Sequence, residues 1–163
     1  MRALGAPTLA LLCASAPAQQ LRSAQTAVVE AAKKVRPSVV TVLTPNARDY
    51  DLTGVVVAPG GIVLTLRAPL LDEGKLPKQV PVRFPGRRET VTARLIDEDA
   101  GSGTVLLRAD IRRARPVAVG RAEDVRVGQW VLLVGNAFGA GRESAPTVSL
   151  GVVSGLVRDR NGP

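Results

Sequence analysis

A chain of 163 residues with 45% hydrophobic content is long enough for one domain with its own core, and too apolar to be disordered. Its 22 Lys and Arg against 14 Asp and Glu give a net charge of +8, but only 2% of its residues are aromatic, so few rings stand among the charges to stack bases. The chain has no His and one Cys, which excludes an acid–base site built on imidazole and strips a zinc site of its usual ligands.

Residues 1–18, MRALGAPTLALLCASAPA, open with one Arg, continue as an apolar run from Ala3 to Ala14 and end on Ala16-Pro17-Ala18. That is the layout of a secretory signal peptide with a small-x-small cleavage site, too short for a stable membrane anchor. A buried N-terminal helix is the plainer alternative. Lipidation at Cys13 is a weaker one, because Leu12 stands where a small residue belongs. Cleavage after Ala18 leaves 145 residues with no Cys and no Met, so an exported product holds its core without disulfides. No second long apolar run follows, so no transmembrane segment is expected.

Residues 19–36 read as a helix, with Leu21, Ala24, Ala27 or Val28, and Ala31 or Ala32 recurring at helical spacing. Pro37 stops it, since the residue before a proline is pushed out of the helical region. From there the chain breaks into short β-rich runs: 38–44, 53–59, 61–66, 79–84, 90–96, 104–109, 129–135 and 147–158. Gly60 marks a hairpin between the second and third, and PGRRE marks a turn after the fourth. No long helix falls between strands, so the expected class is all-β, an antiparallel barrel or sandwich, rather than a parallel α/β sheet.

The arginines Arg87-Arg88, Arg112-Arg113, Arg115, Arg158 and Arg160 are scattered along the sequence. They read as solvated surface, and no nucleic-acid partner is expected. Lys33, Lys34, Lys75 and Lys78 lie on the helix or in a polar loop, where solvated charge is a better account than a Ser–Lys dyad. Asp97-Glu98-Asp99 fits no calcium loop and reads as an acidic turn. No phosphate cradle with a following Lys-Ser/Thr is present, so neither a metal nor a cofactor is expected.

Five segments in order are more specific than the class: VRPSVVTVLT, TGVVVAPGGIVLT, VTARLIDED, VRVGQWVLLVGNAFGAG and TVSLGVVSGLVR. Together they resemble the N-terminal half of the HtrA or Deg-type trypsin-like serine proteases, over about residues 28–158. The resemblance implies a first trypsin-like barrel at 37–139, then a crossover and the first strand of an incomplete second barrel at 140–163. It implies that Trp130–Gly135 is the last strand of that first barrel. Gly128, Trp130, Gly135, Asn136, Phe138 and Gly139 form its structural motif, with Gly135 and Gly139 in unusual backbone angles and Phe138 as an apolar plug.

A protease of this kind needs a Ser nucleophile, a His base, an Asp to orient it and donors for the oxyanion. The resemblance puts the His position at Ala68, in Thr65-Leu66-Arg67-Ala68-Pro69, and the Asp position at Gly103. No Gly-Asn-Ser-Gly-Gly loop occurs in the 163 residues. The expected role is therefore a catalytically inactive, exported module in the periplasm or outside the cell, which binds a protein or peptide by pairing at the edge of 147–157, regulates an active relative, or associates with itself. Two other readings stay open: a fragment or diverged member of a serine endopeptidase, and a basic envelope-binding protein.

Overall fold

Valine dominates the β-rich runs, and its β-branched side chain suits a pleated surface that is buried on one side. The computed structural model describes residues 16–44, 51–111, 113–136 and 146–157. One helix, α1 (Ala16–Val35), precedes eight strands. They are β1 (Val39–Val42), β2 (Leu52–Ala58), β3 (Ile62–Leu66), β4 (Gln79–Arg83), β5 (Thr90–Asp99), β6 (Thr104–Ala109), β7 (Trp130–Gly135) and β8 (Thr147–Val152). All eight expected runs contain a strand.

The first six strands close into an antiparallel barrel in the order β1-β2-β3-β6-β5-β4, with β4 returning to β1 through Thr41↔Arg83 and Val42↔Val82. This is not a simple meander. The connection at 67–78 carries the chain past β6 and β5, so β3 pairs with β6 while β4 pairs with β5 and β1. Inward positions alternate along each strand, as a barrel wall requires. Val40, Val42, Val56, Val63, Val80, Val82, Val105 and Leu107 fill the interior with Phe84, Ala93 and Ala109, and Leu70 closes over them from a short 3-10 helix at Ala68–Leu70. β1 is buried on both faces, because β7 crosses its outer side.

Three boundaries depart from the sequence reading. β5 runs three residues past 96, because a bulge at Ile96 resets the register between Leu95↔Leu107 and Asp97↔Leu106. The acidic residues 97–99 therefore belong to the strand, and the turn follows them. β8 ends at Val152, well before residue 158. α1 begins at Ala16, before the expected start at 19, and Ala24, Val28 and Ala32 form its covered stripe while Leu21 is exposed. α1 packs on β7. Residues 1–15, which carry most of the expected signal peptide, lie outside the described residues. Among the described residues no helix is long and apolar enough to cross a membrane.

The main correction concerns β7. The resemblance implies a barrel strand at Trp130–Gly135, but the barrel is complete without it. β7 pairs with β8 instead, in a separate two-stranded antiparallel sheet running from Trp130↔Val152 to Gly135↔Thr147. The barrel has no edge left to offer, because β1 already bonds to β2 and β4.

Candidate functional site

The resemblance puts the positions of a base and its orienting acid at Ala68 and Gly103. They are 35 residues apart in the chain, and the β3–β6 ladder brings them to one corner of the barrel. Leu66 pairs with Thr104 at the end of that ladder, and the Arg67 amide donates to the Gly103 carbonyl at 2.8 Å. Ala68 follows at once and opens the 3-10 helix, whose Leu70 amide returns to the Arg67 carbonyl at 3.0 Å. The scaffold of the corner is thus built, but the two side chains at these positions are a methyl group and a hydrogen atom. Neither accepts a proton.

Gly103 sits in the β5–β6 turn with φ of +69°, a left-handed conformation that disfavours any residue with a Cβ. The turn is held by Asp99, which accepts from the Gly101 amide at 2.8 Å, and by a 2.8 Å hydrogen bond between the Ser102 and Thr104 hydroxyls. The Ser102 side chain, followed by the amides of Gly101 and Ser102, holds the Asp99 carboxyl below the usual carboxylate range. Beside it Arg67 Nε meets Glu98 Oε2 at 2.9 Å, with the side chains 28% and 49% exposed. A pair this open to water contributes at most about 1 kcal/mol. The corner's charged groups are therefore committed to each other or to the turn. Among the described residues no group of Asp, Glu, His and Cys could hold a metal ion.

A second site lies where the β7–β8 hairpin meets the barrel. The Asn136 amide donates to Thr53 Oγ1 at 2.7 Å, and Asn136 Nδ2 donates to the Asp51 carbonyl at 3.2 Å. Thr65 Oγ1 donates to the Thr53 carbonyl at 2.9 Å, and Thr147 Oγ1 to the Gly135 carbonyl at 2.8 Å. Asn136 is only 6% exposed, so its bond to the Asp51 carbonyl forms away from water, while the other three are partly buried. The need for Gly135 is a matter of space: a Cβ there would stand 2.8 Å from Thr53 Oγ1. Its backbone is not left-handed, which corrects the expectation of an unusual angle. Gly128 does take a positive φ, of +87°, in the turn before β7. Phe138 and Gly139 lie outside the described residues.

Beyond this latch the hairpin is exposed. Trp130, Leu132 and Val134 pair with Val152, Leu150 and Val148, so the six share one face. Trp130 is 57% exposed, and Leu150 and Val152 are 54% exposed each; on the opposite face Leu133 reaches 73%. The Val153 amide donates to the Gln129 carbonyl, so alternation points the amides of Val148, Leu150 and Val152 away from β7.

Sequence reasoning missed Thr53, Thr65 and the Asp51 carbonyl, since a Thr in an apolar strand looks like any other β-former. It also missed the Arg67–Glu98 pair, which depends on the bulge at Ile96. Lys33, Lys34, Lys75 and Lys78 are all exposed, and Lys33 pairs with Glu30 at 2.8 Å.

Comparison with known proteins agrees with this architecture. The model of the trypsin-like peptidase domain matches residues 52–163. A probable periplasmic serine endoprotease DegP-like from Pseudomonas fluorescens is 30% identical over 106 residues, 65% of this chain and 20% of the relative. The protein of the same name from Rickettsia prowazekii is 31% identical over 108 residues, 66% of this chain and 20% of the relative. The chain thus spans about a fifth of the length of these relatives. Among solved structures, the HtrA-type protease AlgW with tripeptide superimposes with a TM-score of 0.68 at 24% identity, covering 83% of this chain and 42% of that one. The family model covers more than half of the chain and the solved HtrA-type protease shares its fold: this chain is a member of the trypsin-like peptidase family, of the HtrA or Deg type.

Proposed function

We propose that this segment is a non-catalytic trypsin-fold module of an exported protein, and that it holds an extended apolar polypeptide at the free edge of β8. The observation that carries the reading is the hairpin itself. It is a two-stranded sheet with one ladder, outward amides at Val148, Leu150 and Val152, and an apolar face that water reaches. A strand laid along β8 would use those amides and cover Leu150 and Val152. The solved relative with a bound tripeptide and the periplasmic names of the DegP-like proteins are in keeping with a peptide ligand and with export.

The non-catalytic part rests on the corner, where Ala68 and Gly103 offer no base and no acid. The competing reading, a serine endopeptidase, rests on the names of the relatives and requires a proton acceptor from elsewhere.

Amide hydrogen exchange tests the binding role. Without a partner, the amides of Val148, Leu150 and Val152 should exchange much faster than those of Ser149 and Gly151. An unfolded apolar polypeptide should then slow them. Slow exchange at all five amides in the isolated monomer would count against the reading. Casein hydrolysis by the chain, blocked by a serine-directed inhibitor, would establish the competing one.

A further inference from the structure

The arginines that look scattered in the sequence do not stay so in the fold. β4 ends at Arg83, opposite Thr90, while β6 ends at Ala109, opposite Ala93. Both strand ends therefore arrive at the first half of β5, on the same rim of the barrel. Pro37, just before β1, stands on that rim too, since Thr41 pairs with Arg83. A cleft of about 200 Å³ opens there, with Phe84, Ile111 and the two prolines Pro37 and Pro85 on its apolar side and Arg87, Arg113 and Arg115 around it.

All three arginines are exposed, and among the described residues no carboxylate pairs with their guanidinium groups. Asp110, the nearest acidic residue in sequence to Arg113 and Arg115, lies 3.6 Å from Arg94 instead. Next to the cleft in sequence, Arg36 has its Nε buried without a hydrogen-bond partner. Three unpaired cations around a partly apolar, open cleft form a positive field above it.

We propose that this cleft binds a carboxylate joined to one apolar group about the size of an amino-acid side chain. A guanidinium matches a carboxylate with two parallel hydrogen bonds, and Arg holds its charge at every physiological pH. The apolar side argues against a bare inorganic anion, which would leave the half-buried Ile111 and the exposed Pro85 uncovered. The volume is too small for a drug-sized ligand but takes one aliphatic or aromatic group. Such a carboxylate comes either from a free small acid or from the C-terminal residue of a polypeptide. The site is separate from the β8 edge and does not depend on the role proposed there.

Isothermal titration calorimetry on the full chain tests the inference with N-acetyl-leucine, N-acetyl-leucinamide and a short neutral peptide ending in a free leucine. The two carboxylates should bind, and the amide should bind at least about tenfold more weakly, because it loses the charge-assisted hydrogen bonds. A peptide that binds more tightly than the free acid supports a polypeptide source; equal affinity supports a small acid. The R113A/R115A variant should lose about tenfold or more in affinity, and R113K/R115K should lose less, since it keeps the charge but not the fork. R121A, outside the cleft, should bind as wild type does. Unfolding midpoints unchanged from wild type ensure that a loss of affinity is not a loss of fold. The proposal is overturned by equal affinity for acid and amide, by no binding of either carboxylate at millimolar concentration, or by affinity unchanged in R113A/R115A.

Discussion

At the scale of single residues, two positions carry more than their type suggests. Gly135 is fixed by a hydroxyl across the latch and not by a turn. Gly135→Ala would drive a methyl group to 2.8 Å from Thr53 Oγ1, which also accepts from the Asn136 amide. The neighbours cannot yield without breaking that bond, so a loss of about 1–3 kcal/mol is expected, read from the urea midpoint. A companion T53A/G135A variant makes room for the methyl group but leaves the Asn136 amide unpaired, so it should remain less stable than wild type. Asp99 matters through pH. Its carboxyl is held low in the folded state, so the ionised form favours folding. That contribution is complete above the unfolded value, near about 4, and is lost as pH falls through the lower folded value. The melting temperature of wild type should therefore exceed that of Asp99→Asn at pH 6, and the difference should shrink below about pH 4.

At the scale of elements, strand positions were readable because their patterns are local. A run such as QVPVR alternates buried and exposed residues whatever its partners are. The pairing was not readable in the same way. Nothing in residues 67–78 says that β4 will pass two strands and bond to β1, since that register is set by closure of the whole wall. The bulge at Ile96 hid the end of β5 for a related reason: one inserted residue reverses the phase, and the acidic residues beyond it no longer look like a strand. The corner was half legible. Its two positions could be placed by resemblance, but the hydrogen bond from Arg67 to Gly103 and the left-handed backbone at Gly103 belong to three dimensions. Leu70 links corner and core, since it caps the barrel from the helix that Ala68 begins. Leu70→Ala should cost about 2–5 kcal/mol and should loosen that helix, visible as faster exchange of the Leu71 amide.

At the scale of the whole molecule, barrel and hairpin divide the work. The barrel supplies the stability, through a valine-rich interior with no open edge. It also brings Ala68 and Gly103 together at one corner, through the hydrogen bond from the Arg67 amide to the Gly103 carbonyl. Placing an imidazole and a carboxylate at that corner is expected to give nothing: A68H/G103D should leave casein hydrolysis at background, since no Gly-Asn-Ser-Gly-Gly loop occurs in the 163 residues. The same variant should be less stable, because a Cβ at a φ of +69° costs about 1–2 kcal/mol. Measurable hydrolysis by the double variant would show that a nucleophile already waits near this corner.

The hairpin has a further consequence, for the behaviour of the protein at high concentration. Residues 147–157, TVSLGVVSGLV, contain no charge and no proline, and the first charge after them is Arg158. Gatekeeper residues of that kind are what ordinarily keep a β-prone stretch from stacking on copies of itself. Here Pro146 and Arg158 flank the stretch but none stands within its eleven residues, and one side of the strand is already exposed. Concentrated solutions should therefore form fibrils that nucleate at this segment, and a single lysine at Leu150 should delay them without touching the barrel.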